Sequence, residues 1–389
     1  MNGQVAFGEE NGKLLIKLIG RIDASNAADI SDEIARARDA EGRGIIIDAD
    51  KLEYISSAGL RIILKLRKSD PGLMVINASP AVYEIFEMTG FCEMMTIKKA
   101  LRRLSVDGCE LIGKGSNGEV YRYDDETIIK VYKNPDALPD IQRERELAKK
   151  ALVLGINTAI PYDIVKIGEK FGTVMELLSA VSLSKMIRND PSDLRTPLGY
   201  YIEMLKQIHS THPAEGDMPD MKKVAVDWAE FDRQHLSKEN GEKLCRLMAA
   251  IPDTGTMLHG DYHTNNVMVR DGEALLIDMD TLCVGHPIFE FGSMYNAYRG
   301  FSELDHEATM RFLGLPREIT SKFWRMSLSE YFGTNDEAEL DLIERRAQII
   351  GYARLLRRTI RRDEPGRDEM TEFYRARLEE LIPTIDSLV

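Results

Sequence analysis

The sequence is poor in cysteine, with four residues that form no CxxC pair: Cys92, Cys109, Cys245 and Cys283. Thiols scattered in this way are typical of neither a zinc site nor a disulfide framework, and we expect all four to be reduced. The chain also lacks an apolar run of about 18 residues and an N-terminal basic stretch followed by an apolar one. These absences predict a soluble, cytoplasmic protein with no membrane span and no signal peptide.

Internal repeats and low-complexity linkers are missing from the 389 residues, a length that predicts two or three domains at about 100–200 residues each. The formal net charge of −13 argues against nucleic acid as a partner, because phosphates would repel an acidic surface. Residues 1–105 contain 15 basic and 15 acidic residues, so the whole net charge falls on the remainder. This asymmetry indicates two units with different tasks.

The first hundred residues alternate between short apolar runs and helical patterns. Strands are predicted at Lys13–Leu18, Gly44–Asp48 and Gly72–Ile76, and helices at Asn26–Ala40, Leu60–Arg67 and Pro80–Met88. Such alternation predicts a small α/β domain with helices packed on a sheet. Two serines, Ser56 and Ser57, precede the second helix, where a serine can cap free backbone N–H groups or carry a phosphate.

The motif G-x-I-D at Gly20–Asp23, the apolar run Gly44–Asp48 and the segment ISSAGLR together resemble the STAS domain of anti-sigma factor antagonists. The resemblance covers about residues 1–100, within a predicted domain over 1–105, and implies a module that docks a protein partner. It also implies phosphorylation of Ser57, two positions before the motif glycine Gly59, by a kinase. Family members often have aspartate where this chain has Ser56.

A glycine-rich segment, Gly113–Gly118, opens the second unit. Its G-x-G-x-x-G spacing occurs in dinucleotide-binding folds as well as in kinases. The hairpin predicted next, from Val120–Tyr123 to Thr127–Val131, favours a kinase, because a dinucleotide-binding loop would run into a helix. Lys130 lies within the second strand, where its charge needs a partner such as the phosphates of ATP.

The helix predicted at Ile141–Leu154 supplies an acidic partner for that lysine. Glu144 shares a face with apolar residues at helical spacing and is therefore favoured over Glu146, although both could be solvated charges. The apolar strand end at Val174–Leu178 follows at the position of a kinase hinge, whose backbone would bind adenine.

The most specific pattern is H-G-D-x-H-x-x-N, from His259 to Asn266, followed by an apolar strand that ends at Asp278. Phosphoryl transfer needs a carboxylate near the acceptor hydroxyl, which Asp261 supplies. Asn266 and Asp278 supply the hard oxygen ligands that Mg²⁺ prefers, so His259 and His263 are expected to brace the loop rather than bind metal.

These residues resemble the aminoglycoside phosphotransferase and choline-kinase-like superfamily. The resemblance implies an α+β, two-lobed protein-kinase-like fold with an N-lobe over 108–178 and a mostly helical C-lobe over 179–389. It implies ATP and Mg²⁺ as cofactors, with Asp261, Lys130 and Glu144 as catalytic residues. The implied nucleotide site comprises Gly113, Lys114, Gly115, Ser116, Asn117, Gly118, Lys130, Glu176 and Leu178. Glu290 stands where the family pattern G-x-P-x-x-D has aspartate, and we expect it to support the catalytic loop.

The rest of the chain predicts helices at Thr196–Ser210, Asp227–Leu236, Gly241–Ile251, Glu303–Leu313, Arg317–Phe332, Glu337–Arg362 and Asp368–Leu388. The segment Tyr352–Arg362 is strongly basic within an acidic unit. It is either a solvated face paired with acidic neighbours or a patch that recognises an anionic substrate.

Taken together, the sequence predicts an ATP- and Mg²⁺-dependent phosphotransferase whose acceptor is a hydroxyl of a small molecule or a protein. A second hypothesis is a signalling protein, in which the first unit binds partners and Ser57 is phosphorylated in cis or in trans by the chain's own kinase unit. A third hypothesis is resistance to aminoglycosides, which would give no role to the first unit, with its resemblance to anti-sigma factor antagonists.

Overall fold

The computed structural model describes residues 3–38, 43–115, 117–362 and 366–389. Its contacts divide the chain into two compact units, Met1–Ser105 and Val106–Val389. No helix within the described ranges is both long and apolar enough to cross a membrane.

The first unit is an α/β layer built on a five-stranded sheet of order β1-β2-β3-β4-β5. Strand β1 runs antiparallel to β2, and the other neighbours are parallel. Apolar runs in β2, β3 and β4 bury Ile16, Ile47 and Val75, as expected for parallel strands covered by helices. The elements are β1 Gln4–Glu10, β2 Lys13–Ile22, α1 Ala27–Ala37, β3 Ile45–Ile55, α2 Ser57–Ser69, β4 Met74–Ala78, α3 Pro80–Met88, α4 Phe91–Met94, β5 Thr96–Lys99 and β6 Arg102–Leu104.

The second unit begins with antiparallel strands in the order β10-β11-β9-β8-β7, with one helix, α5, packed on β10. Strands β7 and β8 flank the glycine-rich segment, and β9 carries Lys130. The elements are β7 Glu110–Lys114, β8 Gly118–Arg122, β9 Thr127–Tyr132, α5 Leu138–Val153, β10 Pro161–Ile167 and β11 Lys170–Glu176.

The remainder of this unit is mainly helical and carries two small sheets, one of order β12-β14-β15 and one pairing β13 with β16. The loop predicted to be catalytic joins β13 to β14. The strands are β12 Val181–Ser182, β13 Thr256–Leu258, β14 Val267–Arg270, β15 Glu273–Leu276 and β16 Cys283–Gly285. The helices are α6 Leu183–Asn189, α7 Arg195–His209, α8 Met221–Asp232, α9 Lys238–Ala249, α10 Ile288–Tyr298, α11 Ala308–Leu313, α12 Arg317–Phe332, α13 Glu337–Arg361 and α14 Arg367–Leu381.

Among the predicted helices, those at α8, α11 and α14 differ most from the structure at their ends, and three helices, α4, α6 and α10, were not predicted. Asp220 caps α8 by accepting a 3.2 Å hydrogen bond from the Lys223 N–H, so that helix begins earlier than the predicted Asp227. Helix α11 is shorter than the predicted Glu303–Leu313, and α14 ends before Pro383, which has no N–H to continue it. Helix α10 was not predicted: all of its residues are buried, so its sequence has no polar face to reveal a helical period.

Candidate active site

The glycine-rich segment forms a tight turn between β7 and β8. Gly115 N–H donates a 2.9 Å hydrogen bond to the Gly118 carbonyl. A Cβ on Gly118 would lie 2.4 Å from the Val131 carbonyl oxygen, so the approach of β8 to β9 requires glycine there. Ser116, predicted to bind nucleotide, lies outside the described residues.

The turn forms one end of a cavity of about 320 Å³ whose lining also includes Lys130, Glu144 and Asp278. Five other predicted nucleotide-site residues line it: Gly115, Asn117 and Gly118 of the turn, and Glu176 and Leu178 of the hinge segment. Apolar side chains from both lobes, among them Ile128, Met175, Met268 and Ile277, complete the lining. A mostly apolar slot with a charged end suits a planar base attached to phosphates.

Two predicted nucleotide-site residues lie outside this lining. Gly113 faces Val120, whose Cβ lies 3.5 Å from the position a Gly113 Cβ would take. The Lys114 ammonium pairs instead with the Glu119 carboxylate at 3.1 Å.

Lys130 lies at the centre of an ionic network at the charged end of the cavity. Its Nζ atom donates to Glu144 Oε1 and to Asp278 Oδ1, each at 3.0 Å. Glu146 is turned away and pairs with Lys149 at the surface. Burial alone would lower the pKa of Lys130, but the carboxylates of Asp278 and Glu144 raise it above its usual value, so the ammonium stays charged.

The second oxygen of Glu144 is held by Tyr132, a residue that the sequence reasoning missed. The Tyr132 hydroxyl donates to Glu144 Oε2 at 2.8 Å. Because Tyr132 is two residues after Lys130 on β9, both side chains lie on one face of the strand. The two-residue period of the strand, together with the predicted pair of Lys130 and Glu144, could have identified Tyr132 from the sequence.

The loop between β13 and β14 is braced through its backbone. Glu290 on α10, fully buried, accepts from the His259 N–H at 2.6 Å and from the Gly260 N–H at 3.0 Å. Gly260 has φ of 80°, and a Cβ there would lie 2.5 Å from the Thr281 carbonyl oxygen. The His259 side chain lies 3.2 Å from the Ile277 carbonyl, which ties the loop to the segment after β15.

Asp261 projects from this braced loop with 40% of its side chain exposed. His263 Nε2 lies 3.5 Å from Asp261 Oδ2, and Asn266 Nδ2 donates to the Asp261 carbonyl at 3.0 Å. Burial works to raise the pKa of Asp261, but His263 and the charge of Arg354 lower it to about 2. The carboxylate is therefore ionised throughout the physiological range.

Arg354 of α13 also supports this loop, and it was not predicted from the sequence. Its Nη1 donates to the Gly260 carbonyl at 3.0 Å and to Ser293 Oγ at 2.9 Å. The arginine comes from far along the chain, and no local spacing relates it to Gly260. It does fall within the basic segment Tyr352–Arg362 that the sequence singled out.

Two aspartates follow β15. Asp278 has φ of 63° and ψ of 66°, a left-handed conformation that costs a non-glycine residue about 1–3 kcal/mol and is typical of functional sites. Asp280, which the sequence reasoning also missed, is partly buried. Burial raises its pKa to about 7, and the nearby negative charges of Asp278 and Glu144 act in the same direction. No cluster of three or more His, Cys, Asp or Glu side chains suited to a metal occurs in the described ranges.

In the first unit, Ser56 rather than Ser57 caps α2. The Ser56 hydroxyl accepts from the Ala58 N–H at 3.2 Å, which leaves Ser57 exposed as the first helical residue. A Cβ on Gly59 would lie 2.6 Å from Cγ1 of Ile55, so α2 can approach the end of β3 only with glycine at this position.

Comparisons with known proteins agree with this division. Residues 108–320 match the model of the phosphotransferase enzyme family, and residues 5–104 match the STAS domain model. The protein thus belongs to the phosphotransferase enzyme family, because that match covers more than half of the chain. It combines this phosphotransferase domain with an N-terminal STAS domain.

The chain is also similar to individual proteins. Over 91 residues, 22% of this chain and 78% of the relative, the sequence is 34% identical to a Bordetella bronchiseptica protein that bears the name anti-sigma factor antagonist BtrV. An ADP-bound aminoglycoside phosphotransferase is 16% identical, with a TM-score of 0.45 over 77% of this chain and 98% of the other. A choline/ethanolamine kinase family protein from Mesorhizobium loti is 13% identical, with a TM-score of 0.43 over 70% and 87%.

Proposed function

We propose that the protein transfers a phosphoryl group from ATP to a hydroxyl group, with Mg²⁺ as cofactor. The observation that carries this proposal is the network in which Lys130 contacts both Glu144 and Asp278 at the charged end of an apolar slot. An ammonium held between two carboxylates at such a place suits binding of a polyphosphate.

Within this proposal, the slot binds the nucleotide. Lys130 and the turn containing Gly115, Asn117 and Gly118 hold the phosphates, and the backbone of Glu176 and Leu178 contacts the base. Glu144, fixed by Tyr132, positions the lysine.

The donor set also fits Mg²⁺. Asn266 uses its Nδ2 to bind the Asp261 carbonyl, which leaves its amide oxygen for a cation, and the Asp278 carboxylate is 42% exposed. When bound there, the metal would neutralise phosphate charge.

Asp261 orients the acceptor hydroxyl. Its low pKa makes it a weak base but keeps it ionised, so it accepts a hydrogen bond from the hydroxyl at any physiological pH. His259, His263 and Glu290 support the loop that presents it.

The direct test measures nucleotide consumption over a panel of hydroxylated metabolites and protein substrates, with Asp261→Asn as the matched variant. Transfer that is lost by about a hundredfold or more in Asp261→Asn, while nucleotide binding is kept, supports the proposal. Nucleotide that does not bind, or transfer that survives the substitution, contradicts it.

A second candidate function is signalling through the STAS domain, with Ser57 phosphorylated by the chain's own kinase domain and a protein partner bound by the STAS surface. The exposed position of Ser57 at the start of α2 favours it, because a phosphate there would face free N–H groups and the positive end of the helix dipole. Incubation with labelled ATP followed by mapping tests it. The proposal expects label at Ser57 that is absent from Ser57→Ala and from Asp261→Asn, whereas an unlabelled Ser57 contradicts it.

A further inference from the structure

A second cavity, of about 690 Å³, lies on the acceptor side of Asp261. Helices α10, α11, α13 and α14 contribute its walls, and Asp261 is part of the lining. If the proposed transfer to a hydroxyl is correct, the acceptor must occupy this cavity, since its hydroxyl has to reach Asp261. The charges of the cavity therefore select the acceptor.

Two arginines of α13 lie one helical turn apart in this wall. Arg354 and Arg358 are separated by four residues, so their side chains project from the same side of the helix into the same cavity. Arg354 uses only Nη1 for its bonds to Gly260 and Ser293, and its Nε and Nη2 atoms bond to nothing else in the described part of the chain. A ligand oxygen can therefore reach donors on a guanidinium whose position is already fixed.

Three carboxylates also line the cavity, and each has an interaction of its own. Asp305 forms an ion pair with Arg311 on the facing wall. Glu369 lies in the first turn of α14, where a negative charge compensates the helix dipole. Asp261 faces the reacting hydroxyl. The cavity is thus electrically mixed, but the charges aligned along α13 are both positive.

Apolar side chains form much of the remaining wall, among them Phe301, Phe312, Met370 and Tyr374. Together with the arginine pair, they suit a compact molecule with an apolar body. They do not suit a polycationic acceptor, which would have to place ammonium groups beside Arg354 and Arg358.

We infer that the acceptor is a small hydroxylated compound that carries an anionic group, a carboxylate or a phosphate, which binds Arg354 and Arg358 while its hydroxyl faces Asp261. This inference rests on the proposed function for the role of Asp261, but its binding component is testable without any phosphoryl transfer.

The test uses the full-length protein and trios of hydroxyl compounds that share a carbon skeleton and include one anionic, one neutral and one cationic member. Suitable trios are glucuronate, glucose and glucosamine; glycerate, glycerol and 2-amino-1,3-propanediol; and 4-hydroxyphenylacetate, its alcohol analogue tyrosol, and tyramine. Binding is measured by calorimetry or thermal shift at neutral pH. The expected result is that in at least one trio the carboxylate binds about tenfold more tightly than its neutral and cationic partners.

Arg358→Gln should abolish that preference, whereas Arg361→Gln should keep it. Arg361 is a matched control because it lies on the same helix but packs over the Phe231 ring, 4.8 Å from its centroid, outside the cavity lining. Equal or tighter binding of the neutral or cationic members in every trio overturns the inference, as does a preference that survives Arg358→Gln.

Transfer assays with the same compounds test the inferred anionic acceptor and the proposed phosphotransferase activity separately. Nucleotide consumption driven by a cationic acceptor overturns the inference and leaves the phosphotransferase proposal intact. Charge-selective binding without transfer to any acceptor supports the binding component of the inference and contradicts the phosphotransferase proposal.

Discussion

The hydroxyl of Tyr132 donates a 2.8 Å hydrogen bond to the Glu144 oxygen that Lys130 does not use. Both carboxylate oxygens are therefore fixed, and the lysine has a single position. Tyr132→Phe removes only the hydroxyl and should lower kcat/KM for ATP about tenfold or more, because a hydrogen bond to a charged group stabilises by about 1.5–3 kcal/mol and about 1.4 kcal/mol corresponds to a factor of ten. Steady-state kinetics with varied ATP measures this effect.

Tyr121→Phe is the control for this substitution. Tyr121, on the neighbouring strand β8, donates to Glu119 at the same 2.8 Å, but that carboxylate pairs with Lys114 away from the ionic network. Its loss should change kcat/KM by less than about twofold. Equal effects of the two substitutions would refute a specific role for Tyr132.

Gly118→Ala should destabilise the N-lobe, because the added Cβ would lie 2.4 Å from the Val131 carbonyl oxygen and push β8 from β9. We expect a lower Tm and weaker nucleotide binding together. Gly115→Ala has ordinary room, with its nearest atom at 3.9 Å, and should leave Tm nearly unchanged. Differential scanning calorimetry of the two variants decides the point, and matching Tm values would contradict it.

Glu290→Ala should be among the most destabilising single changes in the C-lobe. It leaves the buried N–H groups of His259 and Gly260 without acceptors, at a cost of about 1–3 kcal/mol each. Urea unfolding measures the loss. Glu290→Asp keeps the charge and restores the residue typical of the family pattern, so it should recover much of the stability. A recovery no greater than that of Glu290→Gln would show that charge and shape at this site matter little.

Asp232 makes stability depend on pH. It is fully buried on α8, neither carboxylate oxygen has a hydrogen-bond partner among the described residues, and burial raises its pKa to about 8 despite the opposing charge of Arg357. The folded state thus binds the proton more tightly than the unfolded state, whose pKa is about 3.9. The stabilising effect of the protonated acid is complete below about pH 4 and is lost as pH rises through about 8.

Asp232→Asn removes this dependence. The free energy of unfolding of the variant, relative to that of the unmodified protein, should increase by more than about 1 kcal/mol from pH 5 to pH 8.5. The reason is that one pKa unit corresponds to about 1.4 kcal/mol. Urea unfolding of both proteins at the two pH values gives the difference. A constant offset between them would contradict the assignment.

The parts of the site that follow local patterns could be predicted from sequence. Helical spacing favoured Glu144 over Glu146, and the structure has Glu144 beside Lys130. Both domain families were predicted correctly from short motifs, and the family models confirm them. The roles of the individual site residues stay predictions.

What escaped prediction depends on contacts between distant segments. Arg354 reaches Gly260 across 94 positions, and no spacing rule connects them. The uniformly buried α10, which carries Glu290, has no amphipathic pattern. Tyr132 and Asp280 are different: each is two residues from a predicted site residue, so local spacing was a signal that could have identified both.

Arg354 both lines the cavity beside Asp261 and holds the carbonyl of the preceding glycine. If the proposed binding mode is correct, acceptor choice and the alignment of the Asp261 carboxylate share one side chain. A protein that evolved toward a different acceptor by changing this arginine would misplace Asp261 at the same time.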